Sequence, residues 1–321
     1  MKLTITRFTE QDADWWDDYV WQADNGTIFH TRRFLSYHPE GRFTDHSLIF
    51  KQKNSVKAVF PAVELQMDKD RVLYSHRGSS YGGFVYRDAG IRDAFDMVEA
   101  LKDYAKQQGF SRILITLPPI VYMTRYSNYV DFALLKNGFR YLKREISSVL
   151  QLPESVDDIL PMFKAEARTA TRKSIKQGIR VRRSDDYATY YRILKKNLML
   201  RHNVTPTHSL EELERLAALF PEHIHLWGAF LDERMIAGVV NFICSNDTGL
   251  AFYISDDKTY QQYRSVNNLF YHIFQWAVEN RFKFFDFGIF TVNEDPNWGL
   301  GKFKESFGAR GLFRDTFELL L

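Results

Sequence analysis

The densest group of polar side chains beside core-like sequence lies near residue 290. Phe284-Phe285-Asp286-Phe287-Gly288 reads as a buried strand, and the stretch after it carries Asn293, Glu294, Asn297 and Trp298 ahead of Gly301-Lys302-Phe303-Lys304-Glu305-Ser306-Phe307-Gly308. Loops at the carboxyl ends of α/β strands are where ligands usually sit. In such a loop Lys304 could stabilise a developing oxyanion or a phosphate, and Asp286 or Glu294 could accept a proton from an amine nucleophile. The same residues also fit a loop-capping aspartate and a solvated helix lysine.

A second pattern is electrostatic. Lys164, Arg168, Arg172 and Lys176 recur every fourth residue, which aligns them on one helix face beside Lys173. Such a stripe can hold a polyanion, whether pyrophosphate, a nucleotide-linked sugar or a tRNA backbone, and a solvated face is the alternative. Gly78-Ser79-Ser80-Tyr81-Gly82 has the G-x-S-x-G spacing of a nucleophile elbow, which needs a helix straight after its serine. Here Gly83-Phe84-Val85-Tyr86 alternates like a strand instead, so the segment reads as a glycine-rich turn with Tyr81 placed to contact a ligand. The histidines form neither H-E-x-x-H nor a cysteine-paired zinc spacing, and no metal site is expected. Cys244, the single cysteine, lies in the apolar run 239–244 and reads as a buried thiol in a reducing compartment.

The elements that position these residues occur twice. Leu48–Phe50 and Val56–Leu65 form a hairpin pattern around Lys51–Ser55, repeated by Leu226–Phe230 and Met235–Cys244 around Leu231–Arg234. Further extended stretches follow at 72–74, 84–86 and 250–254. Next come helices whose stripes, Met97, Leu101, Tyr104 and Ala105 against Leu269, Ile273, Trp276 and Ala277, share one spacing. Each leads into an apolar strand, Arg112–Leu117 or Phe284–Phe287, and each unit closes on a glycine, Gly138 or Gly308, before terminal strands 147–152 and 316–321. The intervening segment 154–221 reads as helices, with Ser155 and Ser209 as caps and Gly178 as a stop. Two similar α/β units with mixed sheets therefore run in tandem.

Composition bounds the function classes. Hydrophobic residues make up 45% of the 321, enough for full cores, and 43 basic against 40 acidic residues give no general polycation, so DNA binding is not expected. Residues 162–201 nevertheless hold 12 basic and 3 acidic groups. The opening MKLTITRFTEQDADWW has acids and no apolar core of a signal, and no run approaches a membrane span, so a cytoplasmic protein is expected. Nothing in the sequence fixes the oligomeric state.

The tandem units, the basic 168–178 helix, the Tyr81-Gly82-Gly83 turn and above all Phe285-Asp286-Phe287-Gly288 with Gly299-Leu300 and Phe303-Lys304-Glu305-Ser306-Phe307-Gly308 resemble the FemAB superfamily, part of the broader GNAT fold. The resemblance implies two GNAT-like domains, 1–153 and 154–321, with the helical insertion 154–221 opening the second. It implies acyl or aminoacyl transfer to an amine in the cleft of the second domain. Members include peptidoglycan interpeptide-bridge transferases that use aminoacyl-tRNA, and acetyltransferases. The expected activity is therefore N-acyl or aminoacyl transfer to an amine of a cell-wall or nucleotide-linked precursor. Acyl-CoA or aminoacyl-tRNA would be the donor, and no cofactor would be held permanently. A non-catalytic GNAT-like module binding an anionic ligand is the alternative.

Carried onto this sequence, Phe303-Lys304 would put Lys304 near the reacting carbonyl or leaving group. Tyr81, Arg168, Arg172 and Lys176 would lie nearer the acceptor, with Asn293 and Asn297 as further substrate contacts. GNAT enzymes cradle the coenzyme A pyrophosphate with Q/R-x-x-G-x-G/A, where Gln262-Tyr263-Arg264-Ser265-Val266-Asn267 stands here. Ser265 and Asn267 replace the small residues, leaving Arg264 and the helix amino terminus to attract an anion. The charged coiled-coil arm of some bridge-forming members is missing, since 155–220 shows no sustained heptads.

Overall fold

The computed structural model describes residues 3–202 and 206–321, without the side chains of 200–202. It comprises two units: Met1–Ile146 with Phe313–Leu321, and Ser147–Leu312. The sequence reading sets the boundary at 153 and keeps the last strand with the second half; in the structure that strand groups with the first.

In the first unit, β1 (Thr4–Arg7), α1 (Ala13–Trp21) and α2 (Arg32–Leu35) precede β2 (Thr44–Asp45), β3 (Leu48–Gln52), β4 (Ser55–Phe60), β5 (Val63–Met67), β6 (Asp70–Ser75) and β7 (Val85–Tyr86). After these come α3 (Ile91–Gln107), β8 (Arg112–Thr116), α4 (Tyr129–Lys136) and β9 (Arg140–Gln151), whose last five residues belong to the second unit. The expected single strand Val56–Leu65 is two strands. Pro61 has no N–H for a ladder, and the chain leaves β4 there, so β1-β3-β4-β7 form one sheet while β5 and β6 join another. Within that second sheet β6 and β8 are parallel, joined through α3, whose buried stripe Ala94, Met97, Val98, Leu101 and Ala105 covers it.

The second unit continues with α5 (Ile159–Met162), α6 (Ala165–Lys176), β10 (Arg180–Ser184), α7 (Tyr187–His202), α8 (Leu210–Leu219), β11 (Ile224–Leu231), β12 (Arg234–Ile243) and β13 (Thr248–Asp256). Then follow α9 (Ser265–Glu279), β14 (Phe284–Ile289), a small hairpin β15 (Thr291–Val292) and β16 (Asp295–Pro296), α10 (Trp298–Glu305) and the first three residues of β17 (Arg310–Leu320), which belongs to the first unit from Phe313 on. Its strands run in the order β10-β11-β12-β13-β14-β9. The expected caps are in place: Ser209 accepts from the Glu212 N–H, and Gly178 ends α6 at φ +77°. As in the first unit, a parallel pair, β13 and β14, is joined through a helix, α9, so the repeat read from the sequence is a repeated β-α-β crossover.

The core of this unit is built from phenylalanines. Phe270 and Phe274 of α9 meet Phe285 and Phe287 of β14 and Phe307 after α10, with ring centroids 4.7 to 6.2 Å apart. With strand period two, Phe285 and Phe287 on the α9 face put Asp286 on the other. Among the described residues no group of three or more His, Cys, Asp or Glu side chains could hold a metal ion, and no helix is long and apolar enough to cross a membrane.

Candidate active site

β13 and β14 pair over only three positions, from Thr248 opposite Phe284 to Leu250 opposite Asp286. Beyond Leu250, β13 stays hydrogen-bonded to β12 alone, while Ile289 of β14 pairs with Ser147 of β9. The two parallel strands therefore part at their carboxyl ends and leave backbone groups between them without a ladder partner. A gap of this kind at the carboxyl edge of a sheet admits an extended ligand.

The structure brings Asp286 and Lys304 together there. Gly288, at φ +72°, turns the end of β14 so that its carbonyl and that of Ile289 accept hydrogen bonds from Lys304 Nζ at 2.7 and 2.8 Å. Lys304 is 2% exposed, which overturns the solvated-helix alternative, and burial pulls its pKa down to about 8, offset in part by the charge of Asp286. Two carbonyl acceptors favour the ammonium, so the group is a cation at neutral pH. Asp286 is fully buried, and its Oδ1 accepts from Ser147 Oγ at 2.6 Å and from the Gly288 N–H at 2.7 Å. Sequence reasoning missed Ser147, which lies 139 positions from its partner and in an unremarkable strand.

The remaining candidates at this end divide. Asn293 and Glu294 are the two central residues of the β15–β16 hairpin, at φ +50° and +69°, the geometry of a type I′ turn. Asn297 caps α10, accepting from the Leu300 N–H at 3.0 Å. Phe303 packs half-buried against Phe307, which fixes the helix that carries Lys304. At the start of α9, Arg264 adopts left-handed backbone at φ +53° and no side chain caps the helix, while Ser265 is buried and the Asn267 N–H bonds back to the Arg264 carbonyl. Eight residues separate β13 from α9, among them a short 3-10 segment at Lys258–Tyr263, and the amino terminus of α9 carries the positive end of the helix dipole.

Arg172, Lys173 and Lys176 are exposed along α6 and Arg168 is half-buried, and among the described residues none of them has an ion-pair partner. Lys164 differs: its Nζ lies 3.4 Å from Glu305 of α10, and its N–H bonds the Ser306 carbonyl, which docks the basic helix against the helix of Lys304. In the first unit Tyr81 is buried, edge-on to Phe29 at 5.4 Å and beside Tyr122, with the Arg314 guanidinium over its ring. The turn that holds it needs its glycines, because a Cβ on Gly82 would lie 2.2 to 2.4 Å from the Ser75 and His76 backbone. No helix follows Ser80, so the turn is not a nucleophile elbow.

Residues 162–304 match the family profile of an acetyltransferase (GNAT) domain. The chain is similar in structure to FemX, at 15% identity and TM-score 0.77 over 99% of this chain and 97% of that one. It is also similar to the C-terminal domain of a putative lysylphosphatidylglycerol synthetase from Agrobacterium fabrum, at 12% identity and TM-score 0.61 over 96% and 91%. A tandem GNAT protein from the clavulanic acid biosynthesis pathway aligns at 8% identity and TM-score 0.57 over 99% and 98%. No curated protein matches by sequence. At these identities the likeness is one of fold.

Proposed function

This chain has the FemAB-like tandem GNAT fold, and from it we propose that the protein transfers an acyl or aminoacyl group to an amine of a cell-wall or nucleotide-linked precursor. The observation that carries the reading is Lys304, a buried ammonium fixed by two carbonyls beside the opening between β13 and β14. An amine attacking an ester or thioester builds negative charge on the carbonyl oxygen. A fixed cation in a low-dielectric site stabilises that charge more than it stabilises the substrate. As the intermediate collapses, the C–N bond is kept and the C–O or C–S bond breaks. The amine proton leaves for the departing group or solvent.

In this proposal Asp286 positions rather than shuttles protons, because its Oδ1 is committed to Ser147 and the Gly288 N–H. The exposed cations of α6 and the uncapped start of α9 with Arg264 supply two anion-attracting features in the same unit, consistent with a donor or acceptor that carries phosphate. Acyl-CoA and aminoacyl-tRNA are both proposed donors, and the expected setting is the cytoplasm.

The test is a thermal-shift and mass-spectrometric screen of the purified protein against acyl-CoAs, aminoacyl-tRNA and UDP-linked muropeptides. Stabilisation by one donor together with an acceptor product heavier by the acyl mass supports the transferase. Acceptor binding with no product from any donor would support the binding module instead.

A further inference from the structure

Four polar side chains of the first unit, far apart in sequence and outside the site described above, meet in a row. His46, between β2 and β3, is 1% exposed; its backbone N–H bonds the Ala62 carbonyl and its ring meets Phe110 edge-on at 4.9 Å. On one side of the ring Nε2 lies 2.9 Å from the hydroxyl of Tyr104 on α3, and on the other Nδ1 lies 3.3 Å from Oε2 of Glu64 on β5. Arg71 of β6 in turn donates to both Glu64 oxygens, at 2.6 and 2.9 Å.

The proton positions follow from these contacts. The Arg71 guanidinium holds the Glu64 carboxyl below its usual range, so the group is ionised and can only accept. His46 Nδ1 therefore carries the hydrogen, and Nε2 offers its lone pair to the Tyr104 O–H. Burial, with Arg7 in the same direction, pushes the His46 pKa down against the pull of Glu64, so the imidazole is neutral and free to take a proton. Burial also raises the Tyr104 pKa, and the phenol holds its proton at rest. Hydroxyl, imidazole and carboxylate in this order are the nucleophile, base and orienting group of a triad.

Tyr104 is half-buried and lines a cleft of about 620 Å³ together with residues of β1 and α3. Leu3, Ile5 and Ala100 give the cleft its apolar lining, and Arg92, Asp96, Glu99 and Asp103 its charge. Arg92 is paired with Asp96 at 2.8 Å, whereas among the described residues Glu99 and Asp103 have no ion-pair partner. The excess of acid suits a ligand with positive charge and disfavours one that carries phosphate.

We propose that Tyr104 is a base-assisted nucleophile that takes the acyl group of an activated ester carrying an ammonium. The Tyr104 oxygen bonds to the ester carbonyl carbon, and the bond from that carbon to the departing oxygen breaks. The phenol proton passes to His46 Nε2 and on to the departing oxygen. Glu64 keeps the Nδ1 hydrogen in place and stabilises the imidazolium formed in between. The ester must be an activated one, because the phenol ester formed on Tyr104 is itself more reactive than an ordinary alkyl ester.

This chemistry needs neither Lys304 nor an amine acceptor, so the full chain is tested with an ester alone. The probes are glycine p-nitrophenyl ester, which carries an ammonium, and p-nitrophenyl acetate, which does not. Acylated tyrosines are timed by peptide mass spectrometry, with Tyr126, 60% exposed, as the internal reference. Tyr104 should be acylated by the glycyl ester at least about ten-fold faster than Tyr126, and this ratio should be smaller with the acetate. His46→Gln should slow acylation of Tyr104 by about 100-fold or more and leave Tyr126 unchanged. Glu64→Gln, at a half-buried position, should slow it by a smaller factor, and it carries the test should His46→Gln melt early. Acylation of Tyr104 no faster than that of Tyr126, or at the wild-type rate in these variants, would overturn the proposal and leave the row as a structural clamp. A larger ratio with the acetate than with the glycyl ester would overturn the assignment of a cationic substrate.

Discussion

Replacing Lys304 by methionine keeps the aliphatic stem in the core and deletes two hydrogen bonds, at 2.7 and 2.8 Å, to the carbonyls of Gly288 and Ile289. Each carbonyl left without a donor costs about 1–3 kcal/mol, and removing a cation that burial already disfavours returns part of this. A net loss of roughly 1–3 kcal/mol follows, which at about 2–4 °C per kcal/mol lowers Tm by roughly 2–12 °C. The effect on turnover is larger in kind. Loss of one preorganised oxyanion donor costs about 100- to 1,000-fold in kcat.

The assay measures kcat well below the variant's Tm, using the donor and acceptor found by the screen, with Lys304→Arg as the charge-retaining comparison. Wild-type kcat should fall above about pH 8, as Lys304 loses its proton, and the methionine variant should lack that limb. Stability supplies an independent check. The folded pKa of about 8 lies below the ordinary 10.5, so between these values the unfolded chain holds the proton more tightly, and this residue makes the native state gain stability as pH rises. A variant that melts lower yet turns over at the wild-type rate refutes the catalytic reading and makes Lys304 a clamp for the Gly288 turn.

Arg168→Ala combined with Arg172→Ala should weaken binding of a polyanion such as tRNA and flatten its salt dependence in fluorescence anisotropy, while Tm moves by less than about 2 °C, because both side chains lack partners among the described residues. Glu294→Gly should leave kcat unchanged and raise stability by up to about 1 kcal/mol in urea melts, since glycine relieves the left-handed backbone at φ +69°; a large kcat loss would restore Glu294 as the base. Gly82→Ala should cost about 3 kcal/mol or more, or prevent soluble expression, because its Cβ has only the Ser75–His76 backbone to enter; a near-wild-type melt would show that this turn is pliable.

The repeated crossover was legible because α3 and α9 carry the same apolar spacing. The hairpins were legible too, but not where one sheet ends and another begins: Val56–Leu65 is apolar throughout, and the break rests on the single N–H that Pro61 lacks. Lys304 was found by type and neighbourhood, whereas its burial depends on a turn at Gly288 that brings two carbonyls to it from sixteen and fifteen positions away. Asn293 and Asn297, expected as ligand contacts, hold a turn and a helix cap, and turns and caps use the same side chains as binding sites do. Ser147 carries no local signal at all, since its significance lies in facing Asp286 across the β9–β14 ladder.

The return of residues 313–321 to the first unit bears on how the protein is made. Ribosomes deliver the amino-terminal 146 residues first, yet the strand that covers β8 arrives only after the 166 residues of the second unit. At about 5–20 residues per second that is an interval of roughly 8–33 s. During it the β8 edge, with Ile113, Leu114 and Ile115, has no strand at its side, a template for mispairing of the kind that proteins otherwise shield. The second unit, whose strands are all in hand by then, can therefore be the first to finish, so that order of synthesis and order of completion run opposite ways. Nascent chains arrested after residue 312 should accordingly show protease protection across 147–312 before it appears across 48–116.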